Sequence, residues 1–197
     1  MPHDRVAGIV LAAGESIRMR EPKALLRAGG DTFLERTIAA LKGGGCAPVV
    51  AVVRPDMEAA REAAERAGAR PVVNAGPGSE QVDSLRLALA SLSADVAAAV
   101  VLPVDHPLVR GETVAALIAA WRGSPDRIAR PVHEGRPGHP TLFPRTVWPA
   151  FTAELPRGAR SVVEDEAQPR LDVPVGDPGV LADVDTPAAF ARWVKGR

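Results

Sequence analysis

Tyrosine is absent from this sequence of 197 residues, and Phe and Trp occur only four and three times. Platforms on which single-stranded bases could stack are therefore scarce. Net charge is missing too, because 24 Lys and Arg balance 24 Asp and Glu. A duplex nucleic-acid binder normally carries a basic excess, so no nucleic-acid partner is expected. With one cysteine, Cys46, neither an internal disulfide framework nor a cysteine-built zinc site can form. Cys46 is expected to be a core or loop thiol with no role. No apolar run reaches the roughly 18 residues of a membrane span. The polar start, Met1 to Arg5, leads into a short apolar run without a cleavage pattern. A cytoplasmic protein with no membrane partner is the expectation. The dinucleotide fingerprint GxGxxG is absent, as is a GxxxxGK loop followed by Ser or Thr. Hydride transfer and P-loop hydrolysis thereby lose their main support.

What is present is apolar and regularly punctuated. Hydrophobic residues make up 46%, enough for a real core in a chain of this length. One domain over residues 1–197 is expected, with no linker or internal repeat. Lysine is rare enough that Lys23, Lys42 and Lys195 stand out among the 24 basic residues. Val6 to Leu11 reads as a buried strand running into Ala12-Ala13-Gly14. Thr32-Phe33-Leu34-Glu35 matches a capping box, and Leu34, Ile38 and Leu41 follow at helical spacing. Val49 to Val53 predicts a second strand. Asp56 is placed to cap the next helix, which Gly68 ends. Pro71 to Val73 predicts a short strand, Leu85, Leu89 and Leu92 a helix, and Ala97 to Leu102 a buried strand. Val114, Leu117, Ile118 and Trp121 stripe a fourth helix.

Regularity then weakens. Arg127 to Val132, Thr141 to Phe143 and Leu171 to Val175 read as extended, and Ser161 to Glu166 as helical. Thr186 can cap a last helix with Pro187 at its first position. The alternation predicts an α/β, three-layer, Rossmann-like fold. Its sheet is mainly parallel with an antiparallel edge, and helices cover both faces.

In such sheets ligands bind beyond the carboxyl ends of the strands. Two segments there are chemically loaded. Leu11 to Lys23 has small residues that let a ligand approach the backbone, and Arg18 and Lys23 add cations. The bland alternative is an ordinary loop with solvated charges. In Pro103-Val104-Asp105-His106-Pro107 a lone acid follows a buried strand, placed either to hold a hard cation such as Mg2+ or simply to form a turn. Asp183 and Asp185 lie two apart, which in an extended segment points both to one side. They could add a metal carboxylate or favour a helix start.

These segments together resemble the molybdenum cofactor cytidylyltransferase family, within the nucleotidyltransferases related to molybdopterin guanylyltransferase. Gly8-Ile9-Val10-Leu11-Ala12-Ala13-Gly14, with Ser16, Arg18, Met19, Pro22, Lys23, Leu25 and Leu26, is similar to the family's opening signature. Val104 to Leu108 resembles its metal-binding Asp motif, Gly135 to Pro140 its Gly-His-Pro loop, and Asp183 to Pro187 its closing motif. The resemblance implies transfer of a nucleoside monophosphate from a nucleoside triphosphate, CTP in this family, to a phosphorylated acceptor, molybdopterin, with release of pyrophosphate. Leu11, Ala12, Ala13, Gly14, Ser16, Arg18, Lys23, Asn74 and Ser84 would then hold the nucleotide. Arg18, Lys23 and Asp105 would be catalytic. Asp105, with Asp183 or Asp185, would hold Mg2+. Gly138, His139 and Pro140 would meet the acceptor. A molybdoenzyme or its chaperone would receive the product.

Ala13 stands where guanylyltransferase relatives tend to carry Gly, and its methyl could exclude a purine. One methyl is worth only about 1–3 kcal/mol. Arg20 replaces a usual Gly, and either occupies phosphate space or adds a third cation. Val104 replaces a common Gly, and His106 a common Gln. Glu80-Gln81-Val82-Asp83 departs from a loop that helps read the base. Another phosphorylated acceptor, such as a sugar or alcohol phosphate, and a non-catalytic nucleotide-binding chaperone remain as alternatives.

Overall fold

A strand with no polar side chains has to be covered on both faces, and the fold is organised around several of these. The computed structural model describes residues 5–14, 22–28, 30–76, 80–152, 154–184 and 189. In chain order the strands and helices begin with β1 (Arg5–Leu11), a 3-10 turn at Lys23–Leu25, and the short pair β2 (Arg27–Ala28) and β3 (Asp31–Thr32). Then come α1 (Phe33–Gly43), β4 (Val49–Val53), α2 (Glu58–Arg66) and β5 (Arg70–Val73). They continue with α3 (Gln81–Ala90), β6 (Val96–Pro103) and α4 (Gly111–Arg122). The last third holds β7 (Ile128–His133), β8 (Arg136–Pro137), β9 (Thr141–Pro144), a 3-10 helix (Arg145–Thr152), α5 (Ala159–Glu164), β10 (Arg170–Pro174) and a 3-10 turn at Pro178–Leu181.

The main sheet runs in the order β10-β7-β9-β6-β1-β4-β5, with β8 attached to β7. β1 pairs parallel with both β4 and β6, and β5 parallel with β4. β9 runs antiparallel to β6 and β7, while β10 lies parallel to β7. The antiparallel strand is thus set inside the sheet, with β7 and β10 beyond it. The alternating pattern of the strands divides the core in two. Val6 and Val10 of β1 and Val49, Ala51 and Val53 of β4 join one layer with α1, α2 and α4. Ala7, Ile9 and Leu11 of β1 and Val50 and Val52 of β4 join the other with α3, α5 and the 3-10 helix after β9. There Phe143 and Phe151 meet edge to face at 5.1 Å, a favoured geometry for paired rings.

The expected capping box forms. The Glu35 backbone N–H donates to Thr32 Oγ1 at 3.1 Å, and the Thr32 N–H donates to Glu35 Oε2 at 2.7 Å. That backbone hydrogen bond lowers the Glu35 pKa. Asp56, by contrast, does not cap α2, whose N-cap is Met57 with no side-chain bond. The fork of Arg54 takes its carboxylate, with both contacts at 3.0 Å, and Asp56 stands one residue too early. α5 starts at Ala159, ahead of the expected Ser161, because Gly158 turns the chain at φ 56. The Ser161 hydroxyl instead accepts from the Arg157 N–H at 3.1 Å. The helix expected from Thr186 and Pro187 lies outside the described residues.

Close approach of helices depends on small residues. A Cβ on Gly44, at the end of α1, would sit 2.4 Å from Val114 Cβ in α4. The closing segment is tied down by a buried acid that sequence patterning does not reveal. Asp177 accepts from the Arg110 backbone N–H at 3.0 Å, the Thr113 hydroxyl at 2.7 Å and the Gly179 N–H at 2.9 Å. Its side chain is almost wholly enclosed.

Two outcomes follow. Asp177→Ala leaves buried donors unpaired and should cost about 2–4 kcal/mol, read as a shift in the denaturant midpoint. Cys46 is buried, and that burial pushes its thiol pKa up to about 12. Only the thiolate attacks disulfide reagents, and at pH 8 roughly one thiol in ten thousand would be ionised. Native protein should therefore react with an aromatic disulfide no faster than it unfolds. A rapid stoichiometric reaction without denaturant would contradict this burial.

Candidate functional site

The chain reverses its direction of travel across the sheet at β1. From β1 it moves outward through α1 to β4 and through α2 to β5, then returns over the opposite face by α3 to β6. β1 and β6 are therefore neighbours whose following loops diverge, which opens a crevice at their carboxyl ends. Leu11 and Pro103 are register partners at that rim. The Val104 N–H donates to the Leu11 carbonyl at 3.1 Å, and the Ala12 N–H to the Val52 carbonyl at 2.9 Å.

The crevice holds a small cavity of about 110 Å³, room for phosphate groups more than for a whole nucleotide. Its lining is Leu11, Ala12, Ala13, Gly14, Lys23, Ala24, Glu80, Gln81, Ser84, Val104 and Asp105. The expected strand-end loop and the expected acid thus converge from distant parts of the sequence. Lys23 Nζ lies 3.6 Å from Asp105 Oδ2, with both side chains mostly enclosed. Asp105 Oδ1 is buried and has no hydrogen-bond partner among the described residues. A buried carboxylate oxygen of this kind is a ready acceptor for a cation or a donor group.

Ser84 lines the cavity, whereas Asn74 stands behind it. Asn74 Nδ2 donates to Ser84 Oγ at 2.9 Å, and Asn74 Oδ1 accepts from the Gly76 N–H at 3.1 Å. The acids at the start of α3 also have local roles. Asp83 accepts from the Glu80 N–H at 2.9 Å and pairs with Arg86 at 2.7 Å. They satisfy the start of the helix, and Glu80 also reaches the cavity wall. Glu80, Gln81 and Ala24 were not among the expected site residues. Glu80 and Gln81 stand at the position of the base-reading loop, from which they depart in residue type, and reach the cavity at the start of α3, while Ala24 reaches it through the Lys23–Leu25 turn.

Beside Asp105 two histidine rings are in contact. His106 Nε2 lies 3.8 Å from Asp105 Oδ1, and the His106 and His139 rings are 4.6 Å apart, tilted by 52°. Burial lowers the pKa of His106, against the pull of Asp105 and Asp183. Burial, helped by His106, lowers His139 to about 4. Both rings are therefore neutral at pH 7, and each offers one donor and one acceptor nitrogen. The closing segment comes alongside: the Val184 N–H donates to the Asp105 carbonyl at 2.9 Å, which brings Asp183 beside Asp105. Ser16, Arg18, Arg20 and Asp185 lie outside the described residues.

The Gly-His-Pro loop is locked to the same closing segment. The His139 N–H donates to the Val180 carbonyl and the Gly138 N–H to the Pro131 carbonyl, both at 2.9 Å. Gly138 and His139 line a second cavity of about 560 Å³ that shares Leu11, Glu80 and Gln81 with the first. Pro140, joined to His139 by a cis peptide bond, is buried behind that wall.

A Cβ on Gly138 would meet the Val180 carbonyl oxygen at 2.3 Å and its carbon at 2.8 Å. Both atoms are backbone, so the loop has to move. Gly138→Ala should cost about 1–3 kcal/mol, visible as a lower melting temperature, and should displace His139 from His106.

Comparison with known proteins agrees with this geometry. Residues 8–171 match the MobA-like NTP transferase domain. A probable molybdenum cofactor guanylyltransferase of Opitutus terrae is 32% identical over 80% of this chain and 75% of its own. A nicotine blue oxidoreductase of Paenarthrobacter nicotinovorans is 31% identical over 92% of each chain. A protein of Mycobacterium tuberculosis H37Rv, solved as a complex with manganese, superposes with a TM-score of 0.79. It is 27% identical, with 97% of this chain and 98% of that chain covered. The match over residues 8–171, together with the crevice between β1 and β6, places this chain in the family of MobA-like NTP transferase domains.

Proposed function

We propose that this chain transfers a nucleoside monophosphate from CTP to the phosphate of molybdopterin and releases pyrophosphate. The observation that carries this reading is the convergence of the Leu11–Gly14 backbone, Lys23 and Asp105 on one cavity of phosphate size. The acceptor phosphate attacks the α-phosphorus, the bond from that phosphorus to the β-phosphate bridging oxygen breaks, and the electron pair leaves with pyrophosphate. No protein nucleophile is needed, so catalysis rests on placement and charge. Lys23, with Arg18, neutralises the phosphates. Leu11, Ala12, Ala13, Gly14, Ser16 and Ser84 hold the nucleotide, and Asn74 holds Ser84. Gly138 and His139 face the acceptor, with Pro140 behind them.

The buried, unpartnered Asp105 oxygen and the neighbouring Asp183 are hard oxygen donors, a set that suits Mg2+ bound by one or two carboxylates plus substrate phosphates. Asp105 with Asp183 or Asp185 would hold it. When bound, the ion supplies Lewis-acid stabilisation of charge on the transferring phosphate. Among the described residues no three His, Cys, Asp or Glu groups gather closely enough to hold a metal ion.

The Ala13 methyl supports a pyrimidine base, whereas the Opitutus relative is named for guanylyl transfer. Similarity to nicotine blue oxidoreductase along 92% of both chains favours a second reading, redox chemistry on the same fold. That reading requires a bound redox cofactor, because the one cysteine, Cys46, is buried in the helix-covered core.

The decisive experiment incubates the protein with each nucleoside triphosphate in turn, Mg2+ and molybdopterin, and identifies products by mass. Cytidylylated molybdopterin with stoichiometric pyrophosphate is expected. Pyrophosphate release with another acceptor but not molybdopterin would revise the acceptor, and no release with any pair would defeat the transferase reading. Asp105→Asn should keep the fold and lower turnover by roughly a hundredfold or more, about 3 kcal/mol. Wild-type turnover of this variant at low Mg2+ would remove Asp105 from the metal site.

A further inference from the structure

The larger cavity has a feature that nucleotide binding does not use. Its walls are apolar at Val101, Phe143 and Val163, while Arg130, Arg157 and Arg160 stand at its polar side. Against these guanidiniums the described lining residues offer only two carboxylates, Glu80 and Glu164. Glu164 is committed: its Oε2 lies 2.6 Å from an Arg157 terminal nitrogen and its Oε1 2.5 Å from Arg160 Nε. One carboxylate thus bridges two guanidiniums across the start of α5. The hydrogen bond from Arg160, with the charges of both arginines, lowers the Glu164 pKa. Arg130 is held apart by a paired contact to Asp172, at 2.6 Å and 3.3 Å.

Two guanidiniums converging on one carboxylate have the geometry that also receives a phosphate or external carboxylate. Arg157 and Arg160 are well exposed, so the exchange requires no opening of the core. The cavity adjoins the small one, and Leu11, Glu80 and Gln81 line both. A molecule with a flat apolar body against Phe143 would therefore reach both the crevice and the arginines.

We propose that Arg157 and Arg160 form an oxyanion subsite for the acceptor, and that Glu164 is an internal counterion which the acceptor displaces. The identity of the ligand as acceptor rests on the transferase reading; the anion affinity itself does not. Glu164 then sets specificity. A neutral ligand cannot replace it, and an anionic one gains both guanidiniums only after the carboxylate leaves.

The test titrates phenyl phosphate, with phenol as the neutral control, into the full chain by calorimetry. Phenyl phosphate should bind at least about tenfold more tightly than phenol. The double variant Arg157→Gln with Arg160→Gln should weaken phenyl phosphate by about tenfold or more and leave phenol unchanged. Glu164→Gln should act in the opposite direction and tighten phenyl phosphate by several fold. Melting temperatures of all variants should match wild type, since these side chains are on the surface. Arg157→Lys with Arg160→Lys, which keeps charge but loses the fork, should fall between. CTP affinity is measured on each variant and should not change. No phenyl phosphate binding up to about 10 mM, equal affinity in the glutamine double variant, or weaker binding in Glu164→Gln would each overturn the subsite. If wild type binds no nucleoside triphosphate, the transferase reading fails while the phenyl phosphate curves still decide the subsite.

Discussion

The parallel pairing of β1 with β6 is the constraint on which the rest depends. Its register sets Leu11 against Pro103 and so places the ends of both strands at one rim. Each strand then leaves the sheet in its own direction, because β1 leads through α1 to β4 on one side and β6 leads through α4 to β7 on the other. The crevice is a consequence of that divergence, not of any side chain within it. Lys23 and Asp105, far apart in sequence, face each other at 3.6 Å because the two loops start from adjacent strands. A strand slipped by one residue would turn Ile9 and Val10 to the wrong layers and would separate the Lys23 loop from Asp105.

The second half of the chain works differently. It supplies a wall, and the wall is held by polar anchors and close backbone contacts more than by regular elements. Asp177 ties the closing segment to the start of α4, and Gly179 allows it to pass the Leu108 carbonyl, where a Cβ would stand at 2.3 Å. Gly138 passes the Val180 carbonyl equally closely. These contacts press His139 against His106 and carry Asp183 to the side of Asp105. Enclosing two neutral imidazoles beside an acid costs desolvation, which fits a site whose groups complete their contacts with a ligand.

Membership of the MobA-like family and the crevice geometry together narrow the chemistry to nucleotide handling. The similarity to an oxidoreductase along almost the whole chain shows how widely this scaffold is used, since a fold does not determine a reaction. In this chain a second cavity adjoins the crevice, with Leu11, Glu80 and Gln81 lining both. Here that cavity combines an apolar wall at Phe143 with arginines held by Glu164. No helix among the described residues is long and apolar enough to cross a membrane.

The sequence alone determined the elements whose periodicity is local. The β-branched run of β4, the apolar stripe of α4 and the capping box at Thr32 depend on neighbours within a few residues, and all form as expected. It also drew attention to Leu11–Gly14, Lys23 and Asp105, which the fold brings to one cavity, because strand ends are where a parallel sheet exposes backbone groups. Asp56 shows the limit of local reasoning, since its predicted cap was lost to an arginine two residues away. Tertiary structure decided the rest. That β9 would insert antiparallel between β6 and β7, that Asp177 would be a buried anchor, and that Asn74 would support Ser84 all follow from long-range pairing. Arg130, Arg157 and Arg160 looked like scattered surface charges. Only the packing of α5 on the 3-10 helix after β9, across the cavity from β7 and β9, brings them to one place, because charge has no periodicity in sequence that records where a sheet edge will fold.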